Sequence, residues 1–181
     1  MITLGIDPGS LTTGWALLET KGNKTQYLSS GVLKFDGKKP FLQRITEIKM
    51  KVGEFINSVD ADQVAMESLI FVKSPTSLIK LSQTRGIILA CLIEKFEDNI
   101  FEYSPNLVKS TAVGHGHANK ESVAKFLDMV LGKVNYKTHD ESDAAAIALC
   151  HILNRGKVVA NKKSSSSRSL SQSLAHKVSG V

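Results

Sequence analysis

The first apolar run of the chain, Ile2 to Ile6, ends on a single acid, Asp7, and passes at once into Pro8-Gly9-Ser10. So apolar a run reads as a buried strand. A carboxylate at its end must be hydrated, hydrogen-bonded or bound to a cation, because an isolated buried charge is very costly. Two readings fit. Asp-Pro-Gly is ordinary turn chemistry, with proline fixing φ and glycine supplying permissive geometry; alternatively, Asp7 holds a metal ion. The ending recurs in QVAMES (Gln63–Ser68), a short apolar run that reaches Glu67. Any fold proposed for this chain has to account for both acids.

The spacing of apolar residues supplies the rest of the frame. ITLGID (Ile2–Asp7), GWALLE (Gly14–Glu19) and QYLSSGVLKF (Gln26–Phe35) read as strands separated by Gly/Thr and Lys-Gly-Asn-Lys turns, which predicts an antiparallel meander. From Pro40 to Val59 the period changes: Leu42, Ile45, Ile48, Val52, Phe55, Ile56 and Val59 mark one face of an amphipathic helix. Ser74-Pro75 predicts a capped helix start, and the helix runs through about Phe96. A strand at Ile100–Tyr103 leads into Ser104-Pro105 and a short helical turn; Asn119 is expected to cap a helix over Lys120–Leu131. Thr138 and Glu141 form a T-x-x-E capping box ahead of DESDAAAIALCHIL. The predicted order is β-β-β-α-β-α-β-α-α.

With 181 residues the chain can bury one good core, and 42% hydrophobic against 22% charged residues is an ordinary globular balance. The net charge of +6 is unevenly spread. Lys157, Lys162, Lys163, Arg168 and Lys177 lie in a stretch without acids, so residues 1–156 hold 18 basic against 17 acidic side chains. Residues 1–156 are therefore expected to form the folded domain. Residues 157–181, rich in Ser and Lys, bury too little apolar surface to order themselves. If cations neutralised several of the body's acids, the remaining surface would be positive and suited to a polyanion. Cys91 and Cys150 sit in apolar helical runs, far apart, and read as buried thiols rather than a metal knuckle. No signal-peptide pattern opens the sequence, and apolar runs such as GIILACLI (Gly86–Ile93) are too short to span a bilayer, so a cytoplasmic protein is expected.

The acids can meet. If the strands ending at Asp7 and Glu67 lie side by side, the helical crossover between them makes them parallel, and both acids reach one edge of the sheet. Open α/β sheets place ligands at that edge. Asp140 and Asp143, three residues apart, share a face near the positive end of the last helix. Below them Ala144, Ala145, Ile147, Ala148 and Leu149 suit close packing on the sheet. Four crowded carboxylates would raise each other's pKa values unless cations were present. An all-oxygen site of this kind favours Mg²⁺ or Mn²⁺, and two such ions ~3.5–4 Å apart can activate water and stabilise a leaving oxygen in phosphodiester hydrolysis. Each acid also has a plain structural reading, as a solvated strand end or a partner for a helix dipole.

The motifs GIDPGS with TGW after it, Met66-Glu67, LIKLSQTRG (Leu78–Gly86), VKSTAVGHG (Val108–Gly116) with NKESV following, and DESDAAAIALCH (Asp140–His151) together resemble the RuvC-type Holliday junction resolvases of the ribonuclease H-like superfamily. The resemblance covers about residues 2–154. It implies an α/β fold with a ribonuclease H-like mixed five-stranded sheet flanked by helices. It also implies that Asp7, Glu67, Asp140 and Asp143 are the catalytic, metal-binding acids, holding a pair of Mg²⁺ ions per subunit with Mn²⁺ as a substitute. The activity implied is resolution of four-way junction DNA by a homodimer, through paired symmetric nicks that leave 5′-phosphate and 3′-hydroxyl ends. The helpers implied are the RuvA and RuvB branch-migration proteins.

By the same resemblance Lys109 and Lys120 occupy basic positions that serve DNA binding. Physically, their ammonium groups would position the scissile phosphate and screen the approach of a polyanion to an acidic site. Lys120 opens a helix, where a cation opposes the dipole, and that unfavourable placement favours a functional role. Arg85 is expected to contact phosphate or to support the dimer. The family commonly carries an aromatic residue three positions after the strand-end glutamate to stack on an unpaired base; here that position is Ile70 and the ring is Phe71, one residue later. His139 reads as a flanking residue, and His115 and His117 as loop residues. Three other functions stay open on residues alone: a ribonuclease acting on RNA–DNA hybrids or structured RNA, a non-cleaving binder of branched DNA, and a sugar-kinase or actin-like ATPase. Clustered acids count against the second, and chain length against the third.

Overall fold

The computed structural model describes the backbone of residues 1–69, 74–113 and 120–165. Phe71, His115, His117 and the expected Asn119 cap lie outside the described residues. Three antiparallel strands open the chain: β1 (Ile2–Asp7), β2 (Thr12–Lys21) and β3 (Lys24–Lys34). Helix α1 (Phe41–Ser58) crosses over to β4 (Gln63–Glu67), and α2 (Pro75–Phe96) to β5 (Ile100–Tyr103). Helices α3 (Pro105–Val113), α4 (Lys120–Leu131) and α5 (His139–Ser165) complete the order. The sheet runs β3-β2-β1-β4-β5, with β1, β4 and β5 parallel. This is the mixed five-stranded sheet expected from the sequence. β2 is longer at both ends than its apolar core suggested, and β3 starts two residues earlier and ends one residue sooner.

The pleat sorts each strand between two layers. Leu4 and Ile6 of β1 and Val64 and Met66 of β4 point to α1 and α2, where Ile48, Val52, Ile56, Ile88, Leu92 and Phe96 close one core. The intervening residues face α5, where Ala16, Leu18, Ala65, Phe101 and Tyr103 meet Ala144, Ala145, Ile147 and Ala148. Period-2 alternation therefore puts Asp7 and Glu67 on the α5 face, in line with Gly5 and Ala65. Both cysteines are buried thiols.

Helix α5 is held on the sheet by a buried polar chain as well as by apolar contact. Gln63 Oε1 can only accept, so His151 Nε2 donates to it at 2.8 Å, and the Tyr103 hydroxyl donates to His151 Nδ1 at 2.8 Å. Burial pushes the His151 imidazole down to about 4, keeping it neutral in this role. The Thr138 hydroxyl caps α5, accepting from the Glu141 N–H and donating to Glu141 Oε1, both at 3.3 Å. Ser74 caps α2 in the same way, accepting from the Ser77 N–H at 3.3 Å, with Pro75 at the first helical position. The backbone of α5 continues through residues 157–165, beyond the point where the Ser/Lys composition sets in.

One expectation needs correction. Pro75–Asn99, α2 with the short 3₁₀ turn after it, is long and apolar enough by length and composition to cross a membrane. Counting uninterrupted apolar residues missed it, because a mean hydropathy of 1.2 tolerates Lys80 and Arg85 within the helix. In the fold, Ile88, Cys91, Leu92 and Phe96 of this helix are core residues packed beside α1.

Candidate active site

The parallel register of β1 and β4 pairs Ile6 with Met66, so Asp7 and Glu67 end adjacent strands at one edge of the sheet. What brings the other acids to this edge is an absence of side chains. A Cβ on Gly5 would lie 2.1 Å from the carbonyl oxygen of Ala144, and one on Gly14 2.1 Å from that of Asp140. Helix α5 thus lies directly against the β1 and β2 backbones, with its acidic first turn at the strand ends. The Pro8-Gly9 turn reading also holds, since a Gly9 Cβ would meet the Thr12 carbonyl at 2.2 Å. Both early readings of the opening motif are therefore compatible.

Electrostatics ties the four acids into one group. Burial, followed by the charges of Glu67, Asp143 and Asp140, pushes the Asp7 carboxyl up to about 7. Burial and Asp143 raise Glu67, with Lys109 drawing it back; burial raises Asp143 against the pull of Lys120. Lys120 Nζ stands 3.9 Å from Asp143 Oδ2. Among the described residues, no three His, Cys, Asp or Glu side chains are yet gathered tightly enough to hold an ion.

A cavity of about 470 Å³ opens on this edge. Its lining brings Asp7, Glu67, Glu121 and Asp143 together with Lys109, Lys120 and His139 and with apolar residues such as Val108, Leu127 and Ile147. His139, read from the sequence as a flanking residue of Asp140, lines the cavity and its charge bears on Asp143. Sequence reasoning also missed Thr12, whose hydroxyl donates to Asp140 Oδ2 at 2.8 Å, and the two glycines that admit α5. Their signal was present in the opening motif as G and TTG but gives no periodic pattern. Arg85 is turned away from solvent: its Nε donates to the Glu67 carbonyl at 3.2 Å, and its guanidinium pairs with the Glu102 carboxylate.

The profile of the family described as crossover junction endodeoxyribonuclease RuvC matches residues 3–151. The chain belongs to the RuvC family. A RuvC protein of Rhizobium johnstonii is 36% identical over 154 residues, covering 84% of this chain and 90% of that protein. One of Agrobacterium fabrum is 36% identical over 154 residues, covering 84% and 89%. Thermus thermophilus RuvC superposes with a TM-score of 0.74 at 31% identity, over 87% of this chain and 96% of that one. The same protein in complex with a Holliday junction substrate also matches at 0.74, over 84% and 93%. The ribonuclease H-like architecture expected from the sequence is that of these RuvC structures.

Proposed function

We propose that this chain is a structure-selective DNA endonuclease that resolves four-way junctions by metal-dependent phosphodiester hydrolysis. The observation that carries the reading is the convergence of Asp7, Glu67, Asp140 and Asp143 on one sheet edge beside two lysines, in a RuvC-family chain. A relative solved with a Holliday junction supports the choice of substrate.

The donor set fits a hard divalent cation. All four groups are carboxylates, and burial together with the neighbouring acids raises the Asp7 carboxyl, so its ionised form is disfavoured unless a cation answers it. Asp7, Glu67, Asp140 and Asp143 would hold a pair of Mg²⁺ ions, with Mn²⁺ as a substitute. When bound, such ions supply Lewis acidity at the phosphate and lower the pKa of the attacking water. The chain's own residues do the rest. Lys109 and Lys120 line the cavity with the acids, Lys120 beside Asp143, and would hold a phosphate against them, Thr12 orients Asp140, and Val108, Leu127 and Ile147 give the cavity an apolar lining.

Paired nicks require two sites, and α2 offers a seam for a homodimer. Ile79, Gln83, Gly86, Ala90 and Ile93 are exposed at alternating four- and three-residue steps, a stripe with Gly86 at its centre, Ala90 beside it and isoleucines at its ends. Ile79 and Ile93 are 56% and 55% exposed, and Gly86 has open space beside it. Cooperation with RuvA and RuvB, cytoplasmic action, a stacking role for Phe71 and salt-dependent DNA attraction by residues 157–181 belong to the same reading.

A substrate panel tests it. Synthetic four-way junction, linear duplex and RNA–DNA hybrid are incubated with Mg²⁺, Mn²⁺ or EDTA. Symmetric nicks in the junction alone, abolished by EDTA, are expected. Preferential hybrid cleavage would move the chain to RNA processing, and tight junction binding without cleavage in either metal would make it a binding module.

A further inference from the structure

The sequence leaves Arg85 between phosphate contact and dimer support, and its contacts in the fold point to a third role. We propose that it is a positioning residue, which fixes from α2 the direction in which Glu67 presents its carboxylate. The inference rests on the assignment of Glu67 to the metal centre proposed above.

The peptide unit joining Glu67 to Ser68 is held at both ends. Its N–H, on Ser68, donates to the Tyr103 carbonyl at 2.8 Å, prolonging the β4–β5 ladder by one bond. Its C=O, on Glu67, accepts from Arg85 Nε at 3.2 Å. A peptide is planar, so tethering both of its polar groups fixes the last backbone torsion of Glu67 and with it the Cα–Cβ direction. β4 ends at Glu67, so without these tethers the residue would be a free strand end.

Arg85 is itself fixed. Its side chain is 14% exposed, and its guanidinium pairs with Glu102, which lies opposite Met66 on β5. A planar fork holds a carbonyl and a carboxylate at fixed angles, a geometry that lysine's rotating ammonium does not impose. With its charge answered by Glu102, Arg85 has little left to offer a phosphate. Arg85 meets Glu67 at its backbone carbonyl, so its influence on the Glu67 side chain runs through the backbone. Outer-shell groups of this kind typically matter ~10–100-fold in metal affinity or activity.

Arg85→Ala, Arg85→Lys and Glu102→Gln in the full chain test the proposal with three readouts: kcat and KM for junction cleavage, Mn²⁺ affinity by calorimetry without DNA, and junction affinity in EDTA over a salt series. Arg85→Ala is expected to lower kcat and Mn²⁺ affinity by ~10–100-fold, with KM and junction affinity nearly unchanged. Arg85→Lys should restore little, and Glu102→Gln should move the same two quantities in the same direction, less far. A phosphate-contact role predicts the opposite pattern. Arg85→Ala would then weaken junction binding and reduce the salt slope by about one, Mn²⁺ affinity would hold, and Glu102→Gln would tighten binding by freeing the cation. That pattern, or wild-type kcat and Mn²⁺ affinity in Arg85→Ala, overturns the proposal. If Arg85→Ala unfolds, Glu102→Gln at its 48%-exposed site decides alone. Full cleavage and Mn²⁺ binding by Glu67→Gln would instead refute the metal assignment, a separate failure.

Discussion

Asp7 carries the largest electrostatic burden of any single residue in this site. Its carboxyl is pushed up to about 7 from an ordinary 3.8, first by burial and then by three neighbouring acids. A folded-state pKa above the unfolded one means that the native chain binds the extra proton between about pH 4 and 7. Folding stability therefore falls as pH rises through that window, and above it the ionised group is a net cost unless a cation answers it. Asp7→Asn removes the cost. In EDTA at pH 8 the variant is expected to melt above the wild type, by about 2–4 °C for each kcal/mol recovered, with the gap closing toward pH 4. Added Mg²⁺ should raise the wild-type midpoint more than that of the variant. Thermal melts over pH with and without Mg²⁺ check this; identical midpoints for the two proteins at pH 8 in EDTA would mean that Asp7 is not under that load.

Elements, not single side chains, decide whether the four acids meet. Helix α5 reaches the strand ends because β1 and β2 carry Gly5 and Gly14 where it crosses them. Gly14→Ala would drive a methyl group into the Asp140 carbonyl, forcing the first turn of α5 away. A destabilisation of about 1–3 kcal/mol is expected, together with loss of cleavage. Gly53→Ala in α1 is the control, since its Cβ would meet nothing within 4 Å; it should stabilise by up to about 1 kcal/mol through helix propensity. Denaturant titration of both variants measures the contrast, and an unaffected Gly14→Ala would remove the close-approach argument.

The same scale shows what the sequence could and could not reveal. Strand-end acids and the alanine-rich face of α5 were legible because period 2 and period 3.6 leave patterns in side chains. Gly5 and Gly14 contribute by having none. Thr12 to Asp140 is a contact between elements far apart in the chain, and Arg85 to the Glu67 carbonyl joins α2 to the strand before it; both are set by how α2 and α5 lie on the sheet. His139 was read as a neighbour of Asp140, whereas the helix start turns it into the cavity.

For the whole molecule, the issue is how two cuts are paired. One subunit brings one acidic edge, so on the proposed reading symmetric resolution requires a second copy. The stripe on α2 makes a specific claim about that copy: Ile93→Glu should shift the protein toward monomer in sedimentation or light scattering while leaving its fold intact. Junction cleavage by the variant should lose its paired character and leave singly nicked products. A variant that remains dimeric would place the seam elsewhere.

The most direct measurement of the central claim compares wild type and Asp7→Asn on one labelled synthetic junction, with binding in EDTA and cleavage in Mg²⁺ followed in parallel. The expected result is that the variant binds the junction at least as well, one negative charge having left a DNA-facing site, while its cleavage rate falls on the order of 10³-fold or more, as loss of several kcal/mol of metal-borne stabilisation requires. Cleavage near the wild-type rate would contradict a site built around Asp7.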